Sequence, residues 1–442
     1  MSQRNLLIIL FTLVLSYTCY VRAEQNPYAR YVSDGYSVIE RWALQDVPDQ
    51  RLFEGAMRGM VNELRSDGDD HSVFVPEQVQ GEFRLELRQE FGGVGIRLGL
   101  LGEPPMPIVV GPPQPGTPAF LADIRSGDVI LAVDGTPTEG LPISEIVGLT
   151  RGEPGEPVVL TLRHQGETEP EDVSLTRAVI NVESVRGDIR DDDGRWVFQL
   201  PHEPRIAYIR LINFGDKTEE ELDTVMRETT KAGAEAFILD VRDNYGGALD
   251  AAVGISDMFL RAGLPIVTTR GRDALVRDRF VSTGKGRYTD VPLAILVNKN
   301  SASASEIVAA CLQDYEQAAI VGERTYGKGT VQRLMPVESG RSILKLTSAT
   351  YWRPSGKNIH RMPDAPETEE WGVSPDSGLR VELSEEDYLN WRNYRRRRDI
   401  LGTKTDGVVA EQFDKDPGPL PAGYADDALD AAIDCLRQQL NR

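Results

Sequence analysis

The sequence predicts an α/β protein: a core on a mostly parallel sheet, a β-rich module before it, and helical N- and C-terminal regions. Three observations predict it. After Arg205, the apolar runs AFILDV at 236–241, LAILV at 293–297 and AAIV at 318–321 alternate with helical patterns at 248–260 and 304–315, the rhythm of β-α-β units. Runs that are apolar throughout belong to strands buried on both faces. Between Phe91 and Ile180, short alternating strands are separated by Gly and Pro turn signals instead, which marks a compact module of another kind. Tyr36 to Leu64 has apolar residues at helical spacing, interrupted at Val47-Pro48.

Taken in chain order, Arg4 precedes the apolar run Leu6 to Leu15, and Val21 and Ala23 stand where a signal peptidase would read them before Glu24. Residues 1–23 therefore read as a signal peptide, too short for a comfortable membrane span. The mature chain is expected to be exported to a periplasmic or other extracytoplasmic compartment, and an uncleaved segment would leave it associated with the membrane. Next come a helical region at 24–85, the β-rich module at 86–180, the α/β core at 181–382 and a C-terminal helical region at 383–442. The net charge of -20 over 442 residues argues against a nucleic-acid partner, because phosphates would repel it. The basic run Arg395 to Arg398 closes a helix beginning near Ser384 and is expected to stay solvated at the helix C-terminus. Cys19 would leave with the signal. Cys311 and Cys435 could pair or be two plain core thiols.

Topology then brings distant residues together. In successive β-α-β units, whatever follows each parallel strand returns to the same sheet edge, where such folds bind and react. The loop Asp243–Gly247, Ser303 and the loop Gly322–Gly329 should meet there. In KNSASASEI, 299–307, Ser303 with Glu306 reads either as a capping box at a helix start or as a nucleophile. The histidines at 71, 164, 202 and 360 lie outside the three loops and no G-x-S-x-G occurs, so a Ser-His-Asp triad is unsupported. Lys328, between Gly327 and Gly329, is either a solvated loop lysine or a general base. As a base it must be neutral, and burial can depress a lysine pKa by up to about 3–5 units. Gln332 could orient it.

Two resemblances extend this reading. FGGVG before the strand Ile96 to Leu100, Gly116-Thr117-Pro118-Ala119, and Gly127-Asp128-Val129-Ile130 leading to Val133-Asp134-Gly135 resemble a PDZ domain. That implies an extended peptide added as a strand, its terminal carboxylate on the backbone of Gly92, Gly93, Val94, Gly95 and Ile96, and an apolar groove with Leu98, Ile146 and Leu149. Asp123 departs from the usual glycine. A module that merely buttresses its neighbour is the alternative.

Ser303 and Lys328, 25 positions apart, with ILDVRDNYGGALDAAVGISDMFL, GKGTVQ, LKLTSATYWRPSG, GVSPD and DGDDHSVFVP, resemble the carboxy-terminal processing peptidases, or tail-specific proteases. The resemblance implies Ser303 as nucleophile, Lys328 as base, Gln332 as the orienting amide, and Gly246 and Ala304 N–H groups as oxyanion hole. Ser303 would then be both helix cap and nucleophile, with Ser301 and Ser305 as packing or capping residues. It also implies a crotonase-like core and substrates with free C-termini, with no metal or cofactor. A homo-oligomer is compatible with it. Tyr245 replaces a common proline, and HRMPDAPETEEW, 360–371, is longer than usual. A silent adaptor that binds tails is the alternative, opposed by the intact Ser303, Lys328 and Gln332.

Overall fold

The runs read as doubly buried strands form one sheet in the computed structural model. Strands β1 (Glu203–Leu211), β2 (Ala236–Asp240), β3 (Leu293–Val297) and β4 (Ala319–Gly322) lie side by side in that order, each pair parallel. Helices α1 (Thr218–Lys231), α2 (Leu249–Asp257) and α3 (Ala304–Asp314) make the crossovers. Alternate side chains go to opposite faces. Phe237, Leu239 and Ile295 pack on one face with Leu222, Ile255 and Val308 of the helices. Tyr208, Ile238 and Leu296 pack on the other with Leu429, Ile433 and Leu436 of the C-terminal helix α4 (Asp427–Leu440). Each such fully buried aliphatic side chain contributes roughly 1.5–3 kcal/mol, so both faces fix the sheet.

The structure describes residues 5, 9–17, 26–66, 68–87, 90–101, 105–110, 113–114, 116–164, 166–181, 183–191, 195–362, 365–366, 368–400 and 424–441. Cys19, the cleavage positions Val21, Ala23 and Glu24, and residues 401–423 of the C-terminal region lie outside them. Among the described residues no helix is long and apolar enough to cross a membrane. The chain divides into one unit of Met1–Pro76 with Leu334–Leu346 and another of Glu77–Arg333 with Thr347–Arg442. In the first, helices Pro27–Trp42 and Asp49–Ser66 flank the interruption expected at Val47-Pro48, and Val73–Val75 pairs antiparallel with Ile343–Lys345.

Among the described residues, parallel strand pairing occurs only within β1–β4, with isolated parallel bridges at Phe214–Gly247 and Gly322–Arg380, so the sheets are mostly antiparallel, not mostly parallel. The reason is connection length. Strands Pro265–Arg270 and Val276–Val281, and Pro157–Arg163 and Glu171–Thr176, follow each other through short turns and pair antiparallel, whereas a parallel return needs a crossover of a dozen residues or so.

In the β-rich module, strands Leu98–Leu101, Met106–Val109, Val129–Val133, Pro157–Arg163 and Glu171–Thr176 form an antiparallel sheet. They close on Val109, Ile130, Leu160 and Leu162. Gly92 and Gly93 belong to a separate strand, Glu90–Gly93, paired antiparallel with Ala178–Asn181, so they are not part of an open loop. Asp123 keeps the left-handed backbone of the usual glycine at φ 58°, which aspartate tolerates better than most residues. Cys311 and Cys435 do not form a disulfide with each other.

The basic run departs from expectation. Arg395, on the helix Glu385–Ile400, is buried, with its Nη1 2.8 Å from Asp188 Oδ1, and Arg398 also bonds Asp188. The partner lies about two hundred positions away in sequence, so no local pattern announces it.

Candidate active site

The three loops meet at one sheet edge, tied by buried side chains to one another's backbone. Ser301 Oγ donates to Val241 O at 2.8 Å and accepts from Asn298 N at 3.0 Å. Ser305 Oγ donates to Asn244 O at 2.9 Å, the same carbonyl that Ala302 N reaches at 3.0 Å. Asn244 in turn donates from Nδ2 to Leu211 O at 2.6 Å. Tyr326 N reaches Ser301 O at 3.0 Å, which brings in the loop after β4. Asn244, Ser301 and Ser305 are all buried. The packing and capping roles expected of Ser301 and Ser305 fit these contacts.

Ser303 caps α3 with φ 57° and ψ -112°, a left-handed backbone that costs a non-glycine residue on the order of 1–3 kcal/mol and persists only where its surroundings enforce it. The enforcing group is Glu306, fully buried. Its Oε2 accepts the N–H of Ser303 at 2.9 Å and that of Lys328 at 2.8 Å. Its Oε1 accepts the Thr325 hydroxyl at 2.5 Å and the Gly327 N–H at 2.7 Å. The backbone nitrogens of Ser303 and Lys328 thus share one oxygen atom. Burial pushes the Glu306 carboxyl up to about 7, although Thr325, Gly327, Ser303 and Lys328 all pull it back. Four donors on two oxygens suit the ionised form, since a protonated carboxyl would turn its own O–H toward one of them. The sequence shows Glu306 only as a cap, and nothing in it reveals the second loop.

Lys328 is half-buried. Its glycine neighbours are required by space: a Cβ on Gly327, at φ 86°, would lie 2.9 Å from Trp371 Cε3, and one on Gly329 would lie 2.2 Å from His360 N. Arg361 N donates to Gly327 O at 2.8 Å and Tyr351 N to Gly329 O at 2.7 Å. The two ends of the longer segment 360–371, at His360, Arg361 and Trp371, therefore pack on the lysine loop. It brings His360 there, which loop assignment alone excludes. Burial holds His360 below the usual imidazole value, offset in part by Gly327, and its Nδ1 is buried with no hydrogen bond. It is a neutral neighbour of the site.

The expected oxyanion donors differ. Ala304 N–H, at the first position of α3, makes no hydrogen bond among the described residues. Gly246, at φ 101°, packs against it: a Cβ there would lie 2.8 Å from Ser303 Cβ and 2.9 Å from Ala304 N. Its N–H, however, donates to Asn244 Oδ1 at 2.9 Å and is engaged in this state. Gln332, on the strand Thr330–Val337, donates from Nε2 to Thr330 Oγ1 at 3.0 Å and Thr347 Oγ1 at 3.4 Å. Its carbonyl oxygen is the atom suited to a lysine.

Residues 205–377 match peptidase family S41 and residues 109–164 match the PDZ domain. The chain is 33% identical over 381 residues to the carboxy-terminal-processing protease of Bartonella bacilliformis, covering 84% of this chain and 80% of that protein. It belongs to the carboxy-terminal processing peptidases of family S41. The carboxy-terminal processing protease CtpA of Bacillus subtilis is 30% identical over 330 residues, covering 75% of this chain and 66% of that one. Among solved structures, the photosystem II D1 C-terminal processing protease aligns with TM-score 0.44 and 26% identity, over 84% of this chain and 97% of that one. The protein is thus a serine protease with a PDZ domain, and its substrates are peptides.

In this S41 peptidase the glycine-rich segment of the PDZ domain is held by close approach. A Cβ on Gly92 would lie 2.0 Å from Gly152 O, and one on Gly95, at φ 86°, 2.3 Å from Thr117 Cβ. Val94 O accepts Ala119 N at 2.9 Å. Ile96, Leu98 and Leu149 are partly buried against the domain core, and Ile146 is fully buried.

Proposed function

We propose that this peptidase is exported, takes hold of protein C-termini through its PDZ domain and cleaves with Ser303 and Lys328 as a dyad. The observation that carries the dyad is the shared Glu306 oxygen, which sets the nucleophile's backbone beside that of the lysine. Ser303 Oγ attacks the scissile carbonyl carbon and its proton passes to the neutral Lys328 Nζ. The oxyanion forms against Ala304 N–H, joined by Gly246 N–H once that group turns away from Asn244. Lys328 then protonates the leaving amine and the peptide C–N bond breaks; water, deprotonated by Lys328, adds to the ester carbonyl, and the Ser303 ester bond breaks as Lys328 returns the proton to Ser303 Oγ. Gln332 orients the lysine through its carbonyl oxygen.

Capture of the tail rests on the backbone of Val94, Gly95 and Ile96, which follow the paired strand Glu90–Gly93, with Leu98 and Leu149 favouring an apolar last residue. Export to a periplasmic or other extracytoplasmic compartment rests on Arg4, the apolar run to Leu15, and Val21 and Ala23 before Glu24. The crotonase-like reading rests on β1–β4 and their crossover helices.

One unstructured peptide ending in an apolar residue, offered at limiting concentration as free acid and as amide, tests this. The expected result is hydrolysis of the acid roughly ten- to a hundred-fold faster, the worth of a charged hydrogen bond of about 1.5–3 kcal/mol, and none by Ser303→Ala. Equal rates would remove tail recognition; cleavage by folded Ser303→Ala would remove the dyad.

A further inference from the structure

The PDZ domain and the peptidase core line a common cavity of about 420 Å3, bordered by Arg97 of the PDZ domain and Asp243 of the loop after β2. In a chain of net charge -20, seven guanidiniums line it against three carboxylates. Those carboxylates are already engaged. Asp399 takes Arg210 through both its oxygens. Arg242 binds Asp240 at 2.7 Å and, from behind, Asp426 at 2.8 Å. Asp243 accepts from Asn298 at 2.9 Å, Asn300 at 2.8 Å and Tyr388 at 3.1 Å.

Three arginines are left over. The Arg97 guanidinium, from the PDZ domain, makes no hydrogen bond or ion pair among the described residues. Arg186, from the core, makes no side-chain hydrogen bond: its one ion pair is with Asp399 at 3.8 Å, and its Nε is buried without a partner. Arg392 makes no side-chain hydrogen bond among the described residues: it has Asp243 at 4.0 Å and stacks over the Tyr388 ring at 5.8 Å. Burial lowers the Arg186 pKa to about 10; Asp399 opposes the shift, while Arg210 and Arg97 add to it. Guanidiniums crowded together with little opposite charge repel one another, and a fold that places these three around one cavity, with the Arg186 Nε buried, leaves it short of an anion.

We propose that this cavity is an anion site that takes a phosphate-type dianion between Arg97, Arg186 and Arg392. Guanidinium forks match phosphate oxygens two at a time. A phosphate monoester or inorganic phosphate, at about -1.5 to -2 charge near pH 7, has the oxygens and the charge for several forks, whereas a single carboxylate has two oxygens and one charge. Bound there, the anion links Arg97 of the PDZ domain to Arg186 and Arg392 of the core.

Titration calorimetry of inorganic phosphate against the full chain, with chloride at matched ionic strength in the background, tests the site, with thermal unfolding of the same samples alongside. Saturable binding and a raised Tm are expected for the parent. Arg97→Gln, at an exposed position, and Arg186→Gln should each weaken phosphate binding at least about tenfold, the loss of one charged bond. In chloride both variants should melt no lower than the parent, because they relieve repulsion, whereas an arginine with only a structural role would lower Tm with or without phosphate. Glycerol phosphate distinguishes the sources: binding equal to phosphate assigns the site to monoesters, and binding of phosphate alone assigns it to the free ion. The same phosphate affinity in parent and both variants, or no binding above chloride, would overturn the proposal.

Discussion

The loops at the peptidase sheet edge and the glycine-rich segment of the PDZ domain both bring backbone close to backbone, yet they are held in opposite ways. At the sheet edge, buried polar side chains do the holding: Ser301, Ser305 and Glu306 each bond the main chain of another loop, and Asn244 bonds the end of β1. In the PDZ domain, absence of side chains does it, with Gly92 against Gly152 and Gly95 against Thr117. At the edge, a change that keeps volume but alters hydrogen bonding should disturb catalysis. In the PDZ domain, added volume should disturb the fold and the capture of the tail.

The comparison would break most visibly at Lys328. Lys328→Arg, which keeps the reach of the side chain but stays charged and cannot accept a proton, should reduce peptide hydrolysis by about a thousandfold or more with an unchanged circular dichroism spectrum; parental rates would detach the lysine from the chemistry. Glu306→Gln comes next. Its amide nitrogen would face N–H or O–H donors in place of an acceptor, at a cost of about 1–3 kcal/mol, so Tm should fall and kcat should fall further than KM changes. Gly95→Ala sharpens the contrast from the other side. With φ at 86° and Thr117 in the way, the fold should lose roughly 1–3 kcal/mol. KM for long peptides should rise, while kcat should stay near the parent's. Ser305→Ala should be the mildest, costing about 0.5–1.5 kcal/mol for one hydrogen bond and leaving most activity.

pH separates the two kinds of holding as well. Burial raises Glu306 to about 7 from an ordinary 4.5. Ionisation is harder in the folded state, so the stability this group contributes is fully present below the unfolded value and is lost as pH rises through about 7. Activity should move the other way, because only the ionised carboxylate accepts all four donors. Between about pH 5 and 8, Tm should fall while kcat/KM rises, and Glu306→Gln should flatten the Glu306 part of both profiles. Parallel profiles for parent and variant would show that Glu306 does not titrate in this range.

Much of the peptidase core is legible in the sequence because its signals are local. LAILV gives β3 to the residue, the run 236–241 gives β2, and the order of β-α-β units brings Ser303 and the DNYGG loop to one edge. What escapes depends on partners far along the chain. The pattern Ser303–Glu306 announces a cap, but the loop at 325–328 is visible only in space. Arg395 reads as solvated until Asp188, on another element, is beside it. Glycine density in FGGVG signals backbone freedom without saying whether it exposes donors or admits a neighbour, and here Gly92 and Gly95 admit neighbours. Strand direction is equally hidden where short turns, not helices, make the connection.

The pairing of Ser303 with Lys328 is tested most directly by one assay: hydrolysis of a single unstructured peptide by the parent, Ser303→Ala, Ser301→Ala and Lys328→Arg, each shown to be folded by thermal unfolding. The expected result is loss of hydrolysis in Ser303→Ala and Lys328→Arg, with most activity kept in Ser301→Ala, and Tm within about 2 kcal/mol equivalent of the parent for Ser303→Ala, the limit for a lost helix cap. Parental hydrolysis by folded Ser303→Ala would contradict the assignment of the nucleophile, and parental hydrolysis by folded Lys328→Arg would contradict that of the base.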